Sequence, residues 1–449
     1  MVVLVAPATA AARVETKTYT TPAVEVKGYQ VKQDAMFLGD GLKPDEDAYI
    51  TKMEVELVDA NHKPIPISRL MLHHIVFLNA GIKDATCNTF TSFDESNTGP
   101  AGAERFYAAG EERAKLTLPP GYGYPISAAR DWIMTFMLMN HRRERDTAFI
   151  EYKVTYDTEP KVPVRPYWLD VRNCMADPVY DVPGGGRVGS THRERSDFTM
   201  PESGRIVAGG GHVHGGAKNL TISQPDCGNR KLYASRPTWG SAGHPFYKVK
   251  PILHEPGPIN MSGFNSANGF PVAKGERLRL TSNYDNALTH TRVMGISVIY
   301  VAPDAAADQR CAPRPTDVQD DYGMTPGRFN TPRFTVPLTG LGPDGLARTI
   351  ERPPGATVKL PSGSTINARN FYFDRPNVSV RQGAKLRWKF SGELHNVTVA
   401  NGPRGFGSPN MNNDREYVRQ FDTPGTYKLF CALHPVDMTE TVTVRGKRR

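Results

Sequence analysis

The chain has 449 residues and a formal net charge of +9, and it is rich in glycine (41) and proline (37). This length predicts about two to four domains, and short apolar runs between many turn residues favour β-sandwiches over helical bundles. No apolar run is long enough to span a membrane. The positive charge is dispersed, without a basic patch interleaved with aromatic residues, which argues against nucleic acid as a partner.

The N-terminus and the cysteines indicate the cellular compartment in which the protein works. Residues 1–12 are apolar or small, like the end of a secretory signal, although a positively charged start is missing and a disordered end is the alternative. We treat residues 1–28 as a leader or N-terminal tail and predict a secreted or periplasmic protein. Four cysteines allow two disulfides in three pairings and leave Cys431 over. These four are Cys87, Cys174, Cys227 and Cys311.

Alternating segments separated by turn residues divide the rest of the chain into four parts. Residues 29–165 and 166–303 are predicted to form two β-sandwich domains, with a proline-rich boundary between them. Residues 304–354 have little periodicity and predict a linker that wraps the surface, tied down by Cys311. Residues 355–449 again contain only strand patterns. The predicted fold class is therefore all-β.

The last block carries a metal-binding motif directly after a predicted strand. Cys431 is followed by His434 and Met438, and His395 begins an earlier strand. One thiolate, two imidazoles and a weak axial thioether form the ligand set of a blue copper site, because sulfur favours Cu(I) while imidazole accommodates Cu(II). The sequence therefore predicts an electron-transfer copper here, with Met438 as the axial ligand.

The surrounding residues extend this motif over the whole block. Residues 380–388 and 421–427, together with the Cys431 loop, resemble the plastocyanin-like cupredoxins. The resemblance implies a Greek-key β-sandwich holding one type 1 copper. Multicopper oxidases differ, because they place histidines on both sides of the copper cysteine. Here the neighbours are Phe430 and Ala432, and the chain has a single His-x-His, so a trinuclear copper cluster is excluded.

Two further histidine motifs precede the linker. His212 and His214 lie in a glycine-rich predicted strand, where residues two apart point to the same face and can bind one metal together. His73 and His74 are adjacent, so they can share a metal only if the strand is irregular there. His141 offers a third imidazole in the same block. Each motif alone is also compatible with ordinary structural histidines.

The order His-His, His, His-x-His and then Met294 resembles the peptidylglycine hydroxylating monooxygenase and dopamine β-monooxygenase family over roughly residues 29–301. The resemblance implies two jelly-roll β-sandwiches, each with one copper beside a solvent-filled cleft. An electron-transfer copper would have the ligands His73, His74 and His141. The copper at which dioxygen reacts, and thus the catalytic site, would have the ligands His212, His214 and Met294. His290 is the alternative to Met294, and we assign His62, His192, His244 and His254 structural roles.

The chain departs from that family at the residues that hold the substrate carboxylate. Peptide-amidating members carry Arg two residues before the His-x-His, and Asn and Tyr two and four residues after the methionine. This chain has Gly210, Ile296 and Val298 at those positions. The departure argues against glycine-extended peptides as substrates.

Together these motifs predict a three-copper monooxygenase that hydroxylates a C–H bond with dioxygen. Its expected partners are dioxygen, a small-molecule or peptide-like substrate, and an external reductant such as ascorbate or a redox protein. The C-terminal copper would relay electrons, on a flexible linker of about fifty residues. The alternative is a non-catalytic copper-binding or electron-transfer protein that keeps the same fold, and oxygen uptake by the reduced protein would separate the two.

Overall fold

The computed structural model describes residues 13–87, 102–175, 177–241, 243–322 and 330–446. It is nearly all β, with 53% strand and 2% helix, which confirms the predicted fold class. Within these residues, no helix is long and apolar enough to cross a membrane. The predicted leader residues 1–12 lie outside the described part of the chain.

Two packed sheets form the first domain. One sheet has the strand order β1-β10-β4-β8-β11, with β2 beside β10 and β7 beside β4, and the other has the order β3-β9-β5-β6. Alternating apolar residues, as in β4, turn one face of each sheet toward a shared core. The strands are β1 Val14–Thr20, β2 Val24–Val26, β3 Val31–Leu38, β4 Ala48–Val58, β5 Met71–Ala80, β6 Ala103–Gly110, β7 Leu116–Thr117, β8 Tyr122–Ile126, β9 Trp132–Met139, β10 Asp146–Asp157 and β11 Val162–Pro163.

The prediction that residues 1–28 form a leader or N-terminal tail is wrong for residues 14–26. β1 pairs with β10 along its whole length, from Val14 opposite Asp157 to Thr20 opposite Glu151. β2 pairs with the start of β10. The alternation of exposed and partly or fully buried residues in β1 is typical of an edge strand with one face on the domain. This segment therefore belongs to the first domain.

The second domain is also a sandwich. Its sheets have the orders β12-β23-β15-β20-β24 and β14-β21-β16-β17, with the small pairs β13-β22 and β18-β19 beside them. The strands are β12 Arg165–Asp170, β13 Tyr180–Val182, β14 Thr191–Thr199, β15 Gly204–Val213, β16 Ala217–Gln224, β17 Arg230–Ser235, β18 Pro237–Thr238, β19 Asn260–Met261, β20 Gly263–Val272, β21 Arg277–Asp285, β22 His290–Val293, β23 Gly295–Pro303 and β24 Gln319–Tyr322. The helical turns are α1 Pro245–Lys248 and the 3₁₀ segments Pro225–Cys227 and Ala305–Ala307.

The C-terminal domain pairs a sheet of order β27-β30-β35-β34-β32 with a sheet of order β29-β28-β31-β33. Trp388 and Phe390 from one sheet and Leu429 and Val442 from the other meet in its core. The strands are β27 Val358–Lys359, β28 Ser364–Arg369, β29 Tyr372–Phe373, β30 Asn377–Arg381, β31 Lys385–Phe390, β32 Thr398–Asn401, β33 Glu416–Gln420, β34 Gly425–Cys431 and β35 His434–Arg445. Before them lies a hairpin, β25 Thr339–Leu341 and β26 Ala347–Thr349.

The predicted linker is bound to the body of the protein. β24 adds an edge strand to the second domain's sheet, and the hydroxyl of Thr331 donates to the carbonyl of Ala217 over 2.7 Å. In the hairpin, the amide of Ala347 donates to the hydroxyl of Tyr29 over 3.1 Å. The expected flexible tether is therefore wrong for these parts of the segment, because its hydrogen bonds are made with both preceding domains.

Two disulfides resolve the three possible pairings. Cys87 bonds to Cys174 and joins the first domain to the second, and Cys227 bonds to Cys311 and holds the linker to the second domain. Cys431 is free and buried. An apolar layer that includes Val76, Trp168 and Ile296 also joins the first two domains.

Candidate metal centres

The C-terminal centre consists of His395, Cys431 and His434. Cys431 ends β34 and His434 begins β35, so a tight turn places both at one end of the sandwich, and His395 reaches the same point from the segment before β32. One ligand atom from each residue lies within 4.8 Å of the others. The Nδ1 atoms of His395 and His434 are 3.2 Å apart, and Sγ of Cys431 is 3.6 Å from Nδ1 of His434. This is a convergent sulfur and nitrogen donor set.

Asn396 holds the C-terminal centre in shape. Its backbone amide points at Sγ of Cys431 over 3.4 Å, and its side-chain oxygen accepts from the amide of Ala432 over 2.8 Å. Burial raises the pKa of the Cys431 thiol. Burial, with a smaller contribution from His434, lowers the pKa of His395 to about 4, so its imidazole is neutral at neutral pH, as a ligand must be. Met438 is fully buried in the apolar cluster that contains Cys431.

A second group of histidines lies between the first two domains. We call it the interdomain cluster. Its members share close ring contacts, or electrostatic effects on one another's pKa values, across the domain boundary. They are His73, His74, His141, His212, His214 and His254.

A β-bulge brings His73 and His74 into this cluster together. In the pairing of β5 with β9, Leu72 faces Leu138 and His74 faces Met137, so His73 is the extra residue. The ring centroids of His73 and His74 are 5.2 Å apart. The strand irregularity that the His-His dipeptide required is therefore confirmed.

The second domain contributes histidines from two places. His212 is the next-to-last residue of β15 and His214 lies just beyond the strand, and their ring centroids are 5.2 Å apart. His254 lies in the segment between α1 and β19. The ring of His73 is 5.0 Å from that of His214 and 4.4 Å from that of His254. One ligand atom from each of these three residues lies within 4.8 Å of the others.

Carboxylates of the turn after β6 orient these imidazoles. Nδ1 of His73 lies 2.9 Å from Oε1 of Glu111, and the same oxygen is 2.9 Å from Nε2 of His254. Nδ1 of His212 lies 3.1 and 3.2 Å from the two oxygens of Glu112. A carboxylate bound to one ring nitrogen fixes the tautomer and leaves the other nitrogen for a metal.

Several buried ring nitrogens of the interdomain cluster have no hydrogen-bond partner within the described residues. Leaving such polar atoms buried and unpaired costs about 1–3 kcal/mol each. The unpaired buried nitrogens of the interdomain cluster are Nδ1 of His74 and Nε2 of His141, His212 and His214. A bound metal ion would satisfy them, so these residues fit one.

Burial sets the charge of the cluster. It lowers the pKa of His73, His74 and His214, with neighbouring histidines adding to the effect, and it lowers that of His141 to about 4. Burial would raise the pKa of Glu111, but His254 and His73 outweigh it and hold that carboxyl ionised. The imidazoles of these four histidines are therefore neutral and able to bind a cation. At His212 burial would lower the pKa, but the carboxylate of Glu112 outweighs burial and raises it.

Gly110 makes room for this arrangement. It faces His74 in the pairing of β5 with β6. A Cβ at this position would lie 2.6 Å from an oxygen of Glu112 and 2.7 Å from the ring of His212. Only glycine allows the imidazole and its carboxylate to pack this closely against the strand.

Comparison with known proteins finds a family match in each of two regions of the chain. Residues 362–445 match the copper binding proteins of the plastocyanin/azurin family, and residues 103–304 match the family Stress up-regulated Nod 19 (SURNod19). Amicyanin-alpha from Methylorubrum extorquens is 31% identical over 85 residues, which are 18% of this chain and 71% of that protein. The C-terminal domain belongs to the plastocyanin/azurin family. The region before it is similar to the SURNod19 family.

Two further relatives are similar over larger parts of the chain. The probable copper-dependent oxygenase clz3 from Cochliobolus lunatus is 26% identical over 293 residues, covering 61% of this chain and 80% of that protein. The probable copper-dependent oxygenase M1 from a Phoma species is 25% identical over 353 residues, covering 73% and 78%. A solved structure of an oxidised amicyanin mutant is 24% identical, covers 18% of this chain and 80% of its own, and has a TM-score of 0.17.

The sequence predicted two separate copper sites in the region that matches SURNod19 and its flanks. The structure instead brings ligands of the two predicted sites together. His73 and His214, which the sequence assigned to different coppers, lie in one cluster. His141 follows β9, and the electrostatic influence of His254 and His73 on its pKa places it beside them. Met294 is buried in the apolar layer between the domains. Its carbonyl accepts from the hydroxyl of Tyr284, which in turn accepts from the amide of His214.

Sequence reasoning missed His254 and the carboxylates. His254 was assigned a structural role, yet its ring is among the closest to His73. A signal for it in the sequence was the acid next to it, Glu255. In the structure this acid binds Nδ1 of the buried His290 at 2.8 Å. The adjacent acids Glu111 and Glu112, directly after the small or apolar residues 106–110, were a second signal.

Proposed function

We propose that this protein is a copper-dependent monooxygenase that hydroxylates a C–H bond of a small-molecule or peptide-like substrate with dioxygen. We assign it to the peptidylglycine hydroxylating monooxygenase and dopamine β-monooxygenase type. The observation that carries the proposal is the interdomain cluster, with its converging imidazoles and unpaired buried ring nitrogens. The two relatives named as probable copper-dependent oxygenases support it.

The donor set suggests how copper would be held. His73, His214 and His254 would hold one core ion. The remaining predicted ligands His74, His141 and His212 offer unpaired nitrogens for a second. Imidazole is a suitable ligand for copper, and Met294 is the soft thioether candidate. His395, Cys431, His434 and Met438 would hold the third, type 1 ion. When bound, copper supplies one-electron redox chemistry and a coordination position for dioxygen.

The protein's own groups prepare this site. Glu111 and Glu112 fix the tautomers of His73 and His212, so that the opposite nitrogens stay free to bind. Solvent reaches the cluster on the side of His212 and His254, which keep 18% of their side-chain surface exposed while His73 and His214 are buried. Dioxygen and substrate would approach along that side.

Metal analysis and oxygen uptake test the proposal. Copper-reconstituted protein should hold about three ions per chain, with only one giving an intense blue band. With excess ascorbate as reductant, His214→Ala should lose core copper and oxygen uptake but keep the blue band. His62→Ala is the matched control, because that exposed histidine pairs only with Glu151 on the surface. One copper per chain, or full oxygen uptake in His214→Ala, would refute the proposal.

A non-catalytic electron-transfer protein is the second candidate. It is favoured by the residues beside His212, where Gly210, Ile296 and Val298 offer no charged or polar side chain to hold a carboxylate substrate. This candidate predicts copper in both centres and no oxygen uptake by the ascorbate-reduced protein, so the same measurement separates the two functions.

A further inference from the structure

The C-terminal domain is held against the second domain by a set of hydrogen bonds that we call the docking seam. The carboxylate of Asp181 accepts from the amide of Arg292 over 3.0 Å and from the amide of Gly407 over 2.8 Å. The guanidinium of Arg292 donates to the carbonyl of Ser408 over 3.0 Å, and the amide of Gly405 donates to the carbonyl of Pro183 over 2.9 Å. These backbone contacts fix the orientation of the domain as well as its proximity.

The docked domain also places its copper loop on the first domain. Val436, which lies between His434 and Met438, is 4% exposed and packs in one apolar cluster with Met71, Met139 and Leu253. We call this cluster the bridging layer. Phe246 and Ile252 also belong to it.

Three residues of the bridging layer lie within two positions of a histidine of the interdomain cluster in the chain. Met71 precedes His73 by two residues, Met139 precedes His141 by two, and Leu253 directly precedes His254. The amide of Leu253 lies 3.4 Å from Nδ1 of His141. Short covalent segments at both ends and the packed side chains of the bridging layer therefore join the ligands of the C-terminal centre to those of the core.

We propose that the bridging layer is the route by which one electron at a time passes from the C-terminal centre to the interdomain cluster. The docking seam keeps the domains in the contact that this route requires. The proposal rests on the proposed function, in which a core copper needs electrons. In each transfer the C-terminal Cu(I) is oxidised to Cu(II) and a core Cu(II) is reduced to Cu(I), with no bond formed or broken. An external reductant then returns the C-terminal centre to Cu(I).

Fixed docking distinguishes this route from a tethered encounter. In a tethered encounter the two centres would meet at an effective concentration in the millimolar range and separate again. A fixed seam keeps the contact through every turnover. Transfer should then be independent of solvent viscosity, whereas transfer by a tethered encounter slows as viscosity rises.

The seam can be tested in the copper-free protein. The amides of Gly405 and Gly407 donate across the seam, so hydrogen exchange at these two positions reports docking. We expect strong protection in the wild type and loss of it in Asp181→Ala and Arg292→Ala. The matched control is Arg387→Ala, which removes an ion pair to Glu416 within the C-terminal domain and should leave the two amides protected. Unprotected Gly405 and Gly407 amides in the wild type would overturn the proposal.

Electron transfer is then measured in the copper-loaded protein. A flash-generated reductant bleaches the blue band of the C-terminal centre, and recovery of the band follows the electron as it leaves for the core. Recovery should slow by about tenfold or more in Asp181→Ala and Arg292→Ala, because a released domain reaches the core only as a tethered partner, and should be unchanged in Arg387→Ala. An unchanged rate in a variant whose amides have lost protection would overturn the route.

Oxygen uptake with a reductant that reaches the core directly separates the two proposals. If that uptake persists while the seam variants leave blue-band recovery unchanged, the route is wrong and the oxygenase proposal stands. If no variant or condition gives oxygen uptake while blue-band recovery still depends on the seam, the oxygenase proposal fails and the route stands.

Discussion

The two metal centres are built in different ways. The C-terminal centre draws its ligands from a single domain, and two of them, Cys431 and His434, lie at the two ends of one turn. The interdomain cluster draws His73 from the first domain and His214 and His254 from two segments of the second. One centre is complete within its domain, and the other exists only while two domains hold their contact. Changes at each should therefore have separable effects.

The largest expected effect is the removal of the C-terminal thiol. Cys431→Ser should abolish the blue band completely, because the thiolate is the ligand that defines a blue copper site. Core copper and oxygen uptake with a directly acting reductant should persist, since Cys431 lies in the apolar core of the C-terminal domain. Metal analysis with absorption spectroscopy checks both. Loss of core copper in this variant would contradict the independence of the two centres.

Breaking the disulfide between the first two domains should weaken the core copper site and spare the C-terminal centre. In a Cys87→Ser, Cys174→Ser double variant the covalent bond between these domains is gone, and removal of a native disulfide typically costs about 2–5 kcal/mol of stability. We expect weaker core copper binding and a lower melting temperature, with the blue band unchanged.

The matched control for that variant is Cys227→Ser, Cys311→Ser. It removes a disulfide of similar sequence separation that ties the linker to the second domain. It should lower the melting temperature without selective loss of core copper. Equal loss of core copper in both variants would show that general stability, and not the interdomain contact, governs metal binding.

A smaller effect is expected from the carboxylate that orients two core imidazoles. Glu111→Gln removes the charge beside His73 and His254 while keeping the size of the side chain. Changes at such supporting groups typically lower metal affinity by about 10–100-fold. A competition titration with a copper chelator should show this weakening at the core and none at the blue centre. Glu25→Gln, on an exposed ion pair with Arg145, is the control and should titrate like the wild type.

The contrast between the two centres also explains how much of each could be predicted from the sequence. The Cys431 motif predicted the C-terminal domain because its ligands are close in the chain and its thiolate is diagnostic. The need for an irregular strand at His73 and His74 followed from strand geometry alone. The position of His254 could not be derived in this way, because an isolated histidine in an irregular segment gains its meaning only from how two domains pack. The edge strand at Val14–Thr20 was missed because its pairing partner, β10, lies more than a hundred residues away.

The smallest expected effect concerns the space beside the core site. Gly210 lies two residues before His212 on β15, so a side chain there would point to the same face, and a Cβ added to it would meet no atom within 4 Å. Its cross-strand partner is Val298, and that of His212 is Ile296, so this space has an apolar floor. Gly210→Leu should fill it without touching a ligand.

Two probes of different size can detect this filling at the oxidised core copper. Azide should bind Gly210→Leu as it binds the wild type, since a triatomic anion needs little of the space. The bulkier imidazole should bind about tenfold more weakly or worse, because forcing a group into filled space costs about 1–3 kcal/mol. Gly210→Ala adds only the Cβ and should bind both probes normally. If Gly210→Leu bound imidazole unchanged, the space beside His212 would not lie on the path to the core copper, and substrate would have to approach from the His254 side.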